Sequence, residues 1–219
     1  MAQRLIVEGN DAIALAVLCR KSGLKPPVGY EGQSKFKNEF VIAAGGINSA
    51  LEKLRISLSE PELSHIGLIV DANDAGPLLT WQKIRNILSA FFASHTLSAA
   101  DAQTGAKVIS EASMPTIGIW IMPDNTNQGY LEHFLSSMIP HNNELWRHAD
   151  ATLNHLNTTP FNIIPSSRMQ KALLHTWLAW QKEPGKPFGQ AIDAGYFNIN
   201  TPLIEPFLEW FTNTFELGH

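Results

Sequence analysis

Two stretches of the chain end an apolar run on an acidic residue followed by a glycine-bearing turn. They are Arg4-Leu-Ile-Val-Glu8-Gly9 and Ile66-Gly-Leu-Ile-Val-Asp71-Ala-Asn73-Asp74-Ala-Gly76. A continuous Leu/Ile/Val run bounded by turn residues marks a strand buried on both faces, as in a parallel sheet. The carboxyl ends of such strands form one rim, and ligands of open α/β sheets sit there. Glu8 and Asp71 are thus delivered to one place by different strands, and Asp124, after Thr116–Met122, adds a further acidic strand end. Carboxylates gathered on one rim repel one another unless protons or a cation neutralise them. Their hard oxygens suit a divalent ion such as Mg²⁺ or Mn²⁺. By periodicity alone a second description fits equally well: Asp71 and Asp74 as N-caps of the next helix, and Glu8 as a solvated strand end.

The elements that must position these groups follow from hydrophobic spacing. Strands are predicted at Leu5–Val7, Phe40–Ala43, His65–Val70 and Thr116–Met122, with a short one at Lys107–Ser110. Between them lie helical patterns at Asp11–Arg20, at Ile47, Ala50, Leu51, Leu54 and Leu58, and from Leu78 through Trp81, Ile84 and Leu88 to Phe91. Lys25–Asn38, with Pro26-Pro27, reads as a loop. After Gly129 only helices are predicted, at Leu131–Ile139, Glu144–Leu156, Ser167–Trp180 and Leu203–Phe215, separated by prolines. Strands alternating with helices predict an α/β fold whose mostly parallel sheet is flanked by helices. The expected count is four to five strands. Residues 1–140 form the α/β domain in this reading, and residues 141–219 a helical C-terminal extension packed on it.

Bulk properties exclude several classes. A hydrophobic share of 44% with mean hydropathy −0.07 describes a soluble globular chain, and no window is apolar enough for a membrane span. The start of the chain has no signal-peptide core, since Glu8, Asn10 and Asp11 interrupt it, so a cytoplasmic location is expected. The lone Cys19 sits in an apolar helical pattern and reads as a small buried hydrophobe. A net charge of −4 offers no global basic field for nucleic acid. The Gly-rich phosphate loops and the nucleophile elbow are missing, and His148 and His155 have no partner at metal spacing.

Taken in order, Val7-Glu8-Gly9, then Gly45-Gly46 after the second strand, then Asp71-Ala-Asn73-Asp74-Ala-Gly76, resemble the Toprim domain. That domain is shared by topoisomerases, bacterial primases and OLD-family nucleases. Its signature is Glu-Gly after the first strand and Asp-x-Asp-x-x-Gly after a later one. The Val-Glu-Gly-x-Asp start and the segment Gly129-Tyr-Leu131-Glu132 narrow the resemblance to OLD-nuclease-like Toprim proteins, over residues 3–140. The resemblance implies a Toprim-like fold for residues 1–140 and a Mg²⁺- or Mn²⁺-dependent nuclease or phosphoryl-transfer activity on DNA or RNA phosphodiesters.

Carried over residue by residue, Glu8 matches the family's general acid/base glutamate and Asp71 its first metal-binding aspartate. The second aspartate falls on Asn73, a departure, with Asp74 as the neighbouring carboxylate able to substitute. Asp11 and Glu132 match further acidic ligands, and Lys171, beside Arg168, matches the late lysine of OLD-type enzymes. For Glu132 and Lys171 the alternative is an ordinary helix-start glutamate and a solvated helix lysine. An OLD-type ATPase domain has no counterpart in these residues, so the resemblance implies a separately encoded ATPase as partner. Asn73 and the acidic charge balance leave open a second description, a catalytically decayed Toprim-fold module that binds nucleic acid or regulates with a partner protein.

Overall fold

A computed structural model describes residues 2–9, 12–24 and 40–217. Asp11 and the loop expected at Lys25–Asn38 lie outside the described residues. Among those described, five strands form one sheet: β1 (Ala2–Val7), β2 (Val41–Ala43), β3 (Leu63–Asp71), β4 (Lys107–Ile109) and β5 (Thr116–Met122). Their order is β2-β1-β3-β5-β4, parallel throughout except for β4. The antiparallel β4 sits at the edge and reaches β5 through a short turn, where a parallel partner would have needed a helical crossover. The α/β fold with a mostly parallel, helix-flanked sheet is therefore present.

Alternation along the strands divides the core in two. Leu5, Val7, Ile69, Trp120 and Met122 face one layer, whereas Ile6, Ile66, Leu68, Val70, Ile117, Ile119 and Ile121 face the other. The second layer holds α2 (Ile47–Ser57), α3 (Pro77–Leu88) and α4 (Ser94–Asp101). The first holds α1 (Ala12–Lys21) with α5 (Leu131–Ser137), α6 (Glu144–Asn157), α7 (Met169–Ala179), α8 (Phe188–Asp193) and α9 (Glu205–Phe215). The helical patterns expected in the sequence all appear, with 3-10 turns at Ser166–Arg168 and Pro202–Ile204 opening α7 and α9. Two helices, α4 and α8, carry no pattern strong enough to predict. The first is Ser- and Ala-rich with only Leu97 and Ala100 buried, and the second is a short piece behind Pro187.

The helices beyond residue 140 share one core with α1 and the sheet: α8 packs on α1, and α9 crosses β3, β5 and β4. What seats α9 is a pair of glycines. Gly67 and Gly118 are register partners on β3 and β5. A Cβ on Gly118 would stand 1.8 Å from Thr214 Oγ1, and one on Gly67 2.7 Å from Phe215 Cζ. The helix therefore rests almost on the strand backbones. Burial of Phe207, Trp210, Phe211 and Phe215 secures it there, each large side chain contributing about 1.5–3 kcal/mol when fully buried. Cys19 is buried as expected, and burial pushes its thiol pKa up. Among the described residues no helix is long and apolar enough to cross a membrane.

Candidate functional site

Strand order places the site. From β1 the chain moves outward to β2, then returns past β1 to β3, so the direction of winding reverses between β1 and β3. A crevice opens at such a reversal, outside the carboxyl ends of the strands, because the flanking helices depart to opposite faces. Here α1 lies on one face and α2 on the other. Glu8 follows β1 and Asp71 closes β3, so both meet in this crevice. Glu8 Oε2 accepts the Asp71 amide N–H at 3.0 Å, and the Glu8 carbonyl accepts from Gly45 and Gly46, each at 2.9 Å.

A cavity of about 490 Å³ occupies the position, lined among others by Glu8, Asp71, Asn73, Tyr130, Glu132, Arg168 and Lys171. Glu132 enters from the first turn of α5 and is buried, unusual for an unpaired carboxylate. It is not unpaired: Lys171, in the first turn of α7, places Nζ 2.9 Å from Glu132 Oε1. Asp71 Oδ1 accepts the Leu131 N–H at 3.1 Å, tying the strand end to the start of α5. Burial, and then the charges of Glu8 and Glu132, push the Asp71 carboxyl from its ordinary 3.8 up to about 7, against the pull of the Leu131 amide and the Lys171 ammonium. Asp71 is therefore a carboxyl group that half keeps its proton at neutral pH.

The remaining expected residues divide. Asn73 lines the cavity, its Nδ2 donating to the Asp71 carbonyl at 3.1 Å. Its φ of 54° is left-handed, a conformation that Asn and Asp tolerate better than most residues. Asp74 is exposed and stands outside the cavity lining, its Oδ1 accepting the Tyr130 hydroxyl at 2.9 Å. Asp124 is also elsewhere, folded back onto Thr126 and Asn127 in its own turn. Neither Asp71 nor Asp74 caps α3, whose N-cap is Gly76 with no side-chain bond. Asp11 lies outside the described residues. Tyr130, Ser167 and Arg168 complete the lining; no spacing in the sequence ties them to the strand ends, because α5 and α7 dock there only through tertiary packing.

The donor set is all hard oxygen, suited to a cation of the Mg²⁺ type. As the side chains stand, no group of three carboxylate, His or Cys side chains among the described residues is arranged to hold a metal ion. The physical reason is that one oxygen of each carboxylate is engaged: Glu8 by the Asp71 amide, Asp71 by the Leu131 amide, Glu132 by Lys171. The second oxygen of each has no partner among the described residues, so the chemistry of the set fits a cation even though its present geometry is closed on itself.

The family described as "Protein of unknown function (DUF3226)" matches residues 2–216, and the chain belongs to that family. No curated protein and no solved structure matches it.

Proposed function

We propose that this DUF3226 chain is a Toprim-like, Mg²⁺- or Mn²⁺-dependent protein that hydrolyses or transfers nucleic-acid phosphodiesters. The observation that carries the reading is the trio of Glu8, Asp71 and Glu132 at the winding reversal, each with one oxygen free of partners among the described residues, around an Asp71 carboxyl whose pKa burial and its acidic neighbours raise. The parallel β1–β3 pair bearing Glu8 and Asp71 side by side supports the Toprim-like assignment. The same trio would hold the divalent ion, with the Asn73 amide oxygen as a neutral further donor. When bound, that ion supplies Lewis-acid polarisation of a phosphoryl oxygen and an acidified water.

The chain's own residues account for the rest. Glu8 is half-buried, lines the cavity and is fixed through Oε2, so its other oxygen is the one left either to hold the ion or to take a proton from an attacking water. Lys171 is more than half exposed and can swing from Glu132 to an incoming phosphoryl group, whose growing negative charge its ammonium offsets. Tyr130 closes one side, its hydroxyl held by Asp74.

A second reading is favoured by Asn73 and the Glu132–Lys171 pair: a binding or regulatory module acting on nucleic acid with a partner such as a separately encoded ATPase. An amide in place of a carboxylate weakens cation binding by removing a charge. Calorimetric titration of Mg²⁺ and Mn²⁺ into the wild type and Glu8→Gln, with a plasmid-nicking assay alongside, separates the two. The enzyme reading expects binding, and nicking that is lost in Glu8→Gln. Binding without nicking supports the module, and no binding at millimolar metal refutes the enzyme.

A further inference from the structure

We infer that Arg168 is the residue that grips the substrate's phosphoryl oxyanion, on the wall of the cavity contributed by the start of α7. The inference deepens the phosphodiester reading and rests on it for the identity of the anion. Its starting point is an imbalance among the charged groups of the cavity. Three carboxylates, Glu8, Asp71 and Glu132, share the lining with two cations, Arg168 and Lys171. Lys171 is spent on Glu132 at 2.9 Å. The Arg168 guanidinium makes no hydrogen bond or ion pair with any described residue, although it lines the same acidic cavity; only the backbone N–H is engaged, donating to the Pro165 carbonyl at 2.8 Å.

Arg168 is exposed, so its guanidinium is open to a ligand that enters the cavity. A long cationic side chain beside carboxylates ordinarily folds onto one of them, as Lys171 does. Arg168 closes the 3-10 turn and immediately precedes Met169, the first residue of α7. It stands three residues before Lys171, so the two charges project from neighbouring positions on one side of the helix start. With no side-chain partner among the described residues, its five donors remain available. A planar fork of N–H groups matches two oxygens of a phosphoryl group, and the match is geometric as well as electrostatic. Arg168 and the carboxylates thus divide the work: the acidic set receives a cation, and the guanidinium receives the anion that arrives with it. Lys171, once released from Glu132, would join the anion.

The test uses inorganic phosphate and a background in which metal is not needed. In Glu8→Gln/Asp71→Asn two of the three repelling charges are gone, so phosphate can enter without a cation. Phosphate binding to this full-length variant, followed by ³¹P line broadening or calorimetry, should be saturable. Adding Arg168→Ala should weaken it at least roughly tenfold, the loss of a charge-assisted pair of hydrogen bonds. Arg168→Lys should recover part of the affinity, and acetate at equal concentration should not displace phosphate. Equal phosphate affinity with and without Arg168 overturns the inference, as does an absence of phosphate binding in the background variant or displacement by acetate. Mg²⁺ titration of Arg168→Ala in the otherwise wild-type chain runs in parallel and should match wild type. If wild type itself binds no Mg²⁺, the proposed function fails while the phosphate result still stands or falls alone.

Discussion

Asp71→Asn is the substitution with the most informative pH dependence. The side chain keeps an oxygen to accept the Leu131 N–H at 3.1 Å but loses the charge beside Glu8 and Glu132. In the unfolded chain the aspartate titrates near its ordinary 3.8, and in the folded protein at about 7. Between those values the unfolded state gives up a proton that the folded state still holds. The stability this group contributes is therefore complete below pH 3.8 and is lost as pH rises through 7. A gap of about three pH units, at about 1.36 kcal/mol each, sets an upper bound of about 4 kcal/mol. Water entering the open cavity lowers that bound, so about 2–4 kcal/mol is expected.

Urea unfolding from pH 4 to pH 8 provides the assay. Asp71→Asn should equal wild type near pH 4 and exceed its stability by the stated amount at pH 8, with the gap opening between about pH 4 and pH 7. Mg²⁺ at pH 8 should narrow the gap by stabilising wild type alone, since a ligand of the folded state adds stability. Parallel stability curves for the two proteins across the whole range would refute the account of a carboxyl group strained by its neighbours.

Other substitutions probe separate parts of the same picture. Lys171→Met leaves the buried Glu132 without its counter-charge and should destabilise the metal-free protein by about 1–2 kcal/mol, less than a fully buried pair because the lysine is half exposed. In calorimetry the same variant should bind Mg²⁺ several-fold more tightly, because the ammonium no longer competes for Glu132; weaker binding would place Lys171 outside that competition. Asn73→Asp keeps a residue that tolerates the left-handed backbone and adds a charge, so Mg²⁺ affinity should rise while metal-free stability falls; unchanged affinity would show that position 73 does not face the ion. Gly118→Ala drives a methyl group into Thr214 and should lower stability by about 3 kcal/mol or more, read by thermal unfolding, with a loss below about 0.5 kcal/mol counting against close seating of α9.

Much of this arrangement was legible from residue order alone, for reasons that differ by element. Leu5–Val7, Ile66–Val70 and Thr116–Met122 are unbroken apolar runs, which only strands covered on both faces can use, and their acidic ends mark the ligand rim directly. Glu132 and Lys171 came into view only through their resemblance to a known pattern, since nothing local tells a buried helix-start glutamate from a solvated one. Arg168 and Tyr130 carry no local signal for the site: their places depend on how α5 and α7 dock. Asp74 shows the same dependence on tertiary packing. Its spacing suits a ligand, and in the structure its exposed carboxylate accepts the Tyr130 hydroxyl. The helix α4 was obscured by its composition, being small and polar along most of its length.

The glycine pair under α9 bears on how the protein is made. Gly67 and Gly118 leave the middle of the sheet with a shallow trough on one side, and the residues that fill it, Thr214 and Phe215, are synthesised long after the strands themselves. At roughly 5–20 residues per second, a ribosome needs on the order of ten seconds to pass from Met122 to Phe215. Throughout that interval Ile69, Trp120 and Met122 lack part of their cover, and the nascent sheet shows water a wide apolar face. Folding of the sheet during synthesis would therefore wait at a partly covered face until α9 emerges. A chaperone that grips exposed apolar strands has its window before then, and a nascent chain arrested ahead of residue 205 would be its best client.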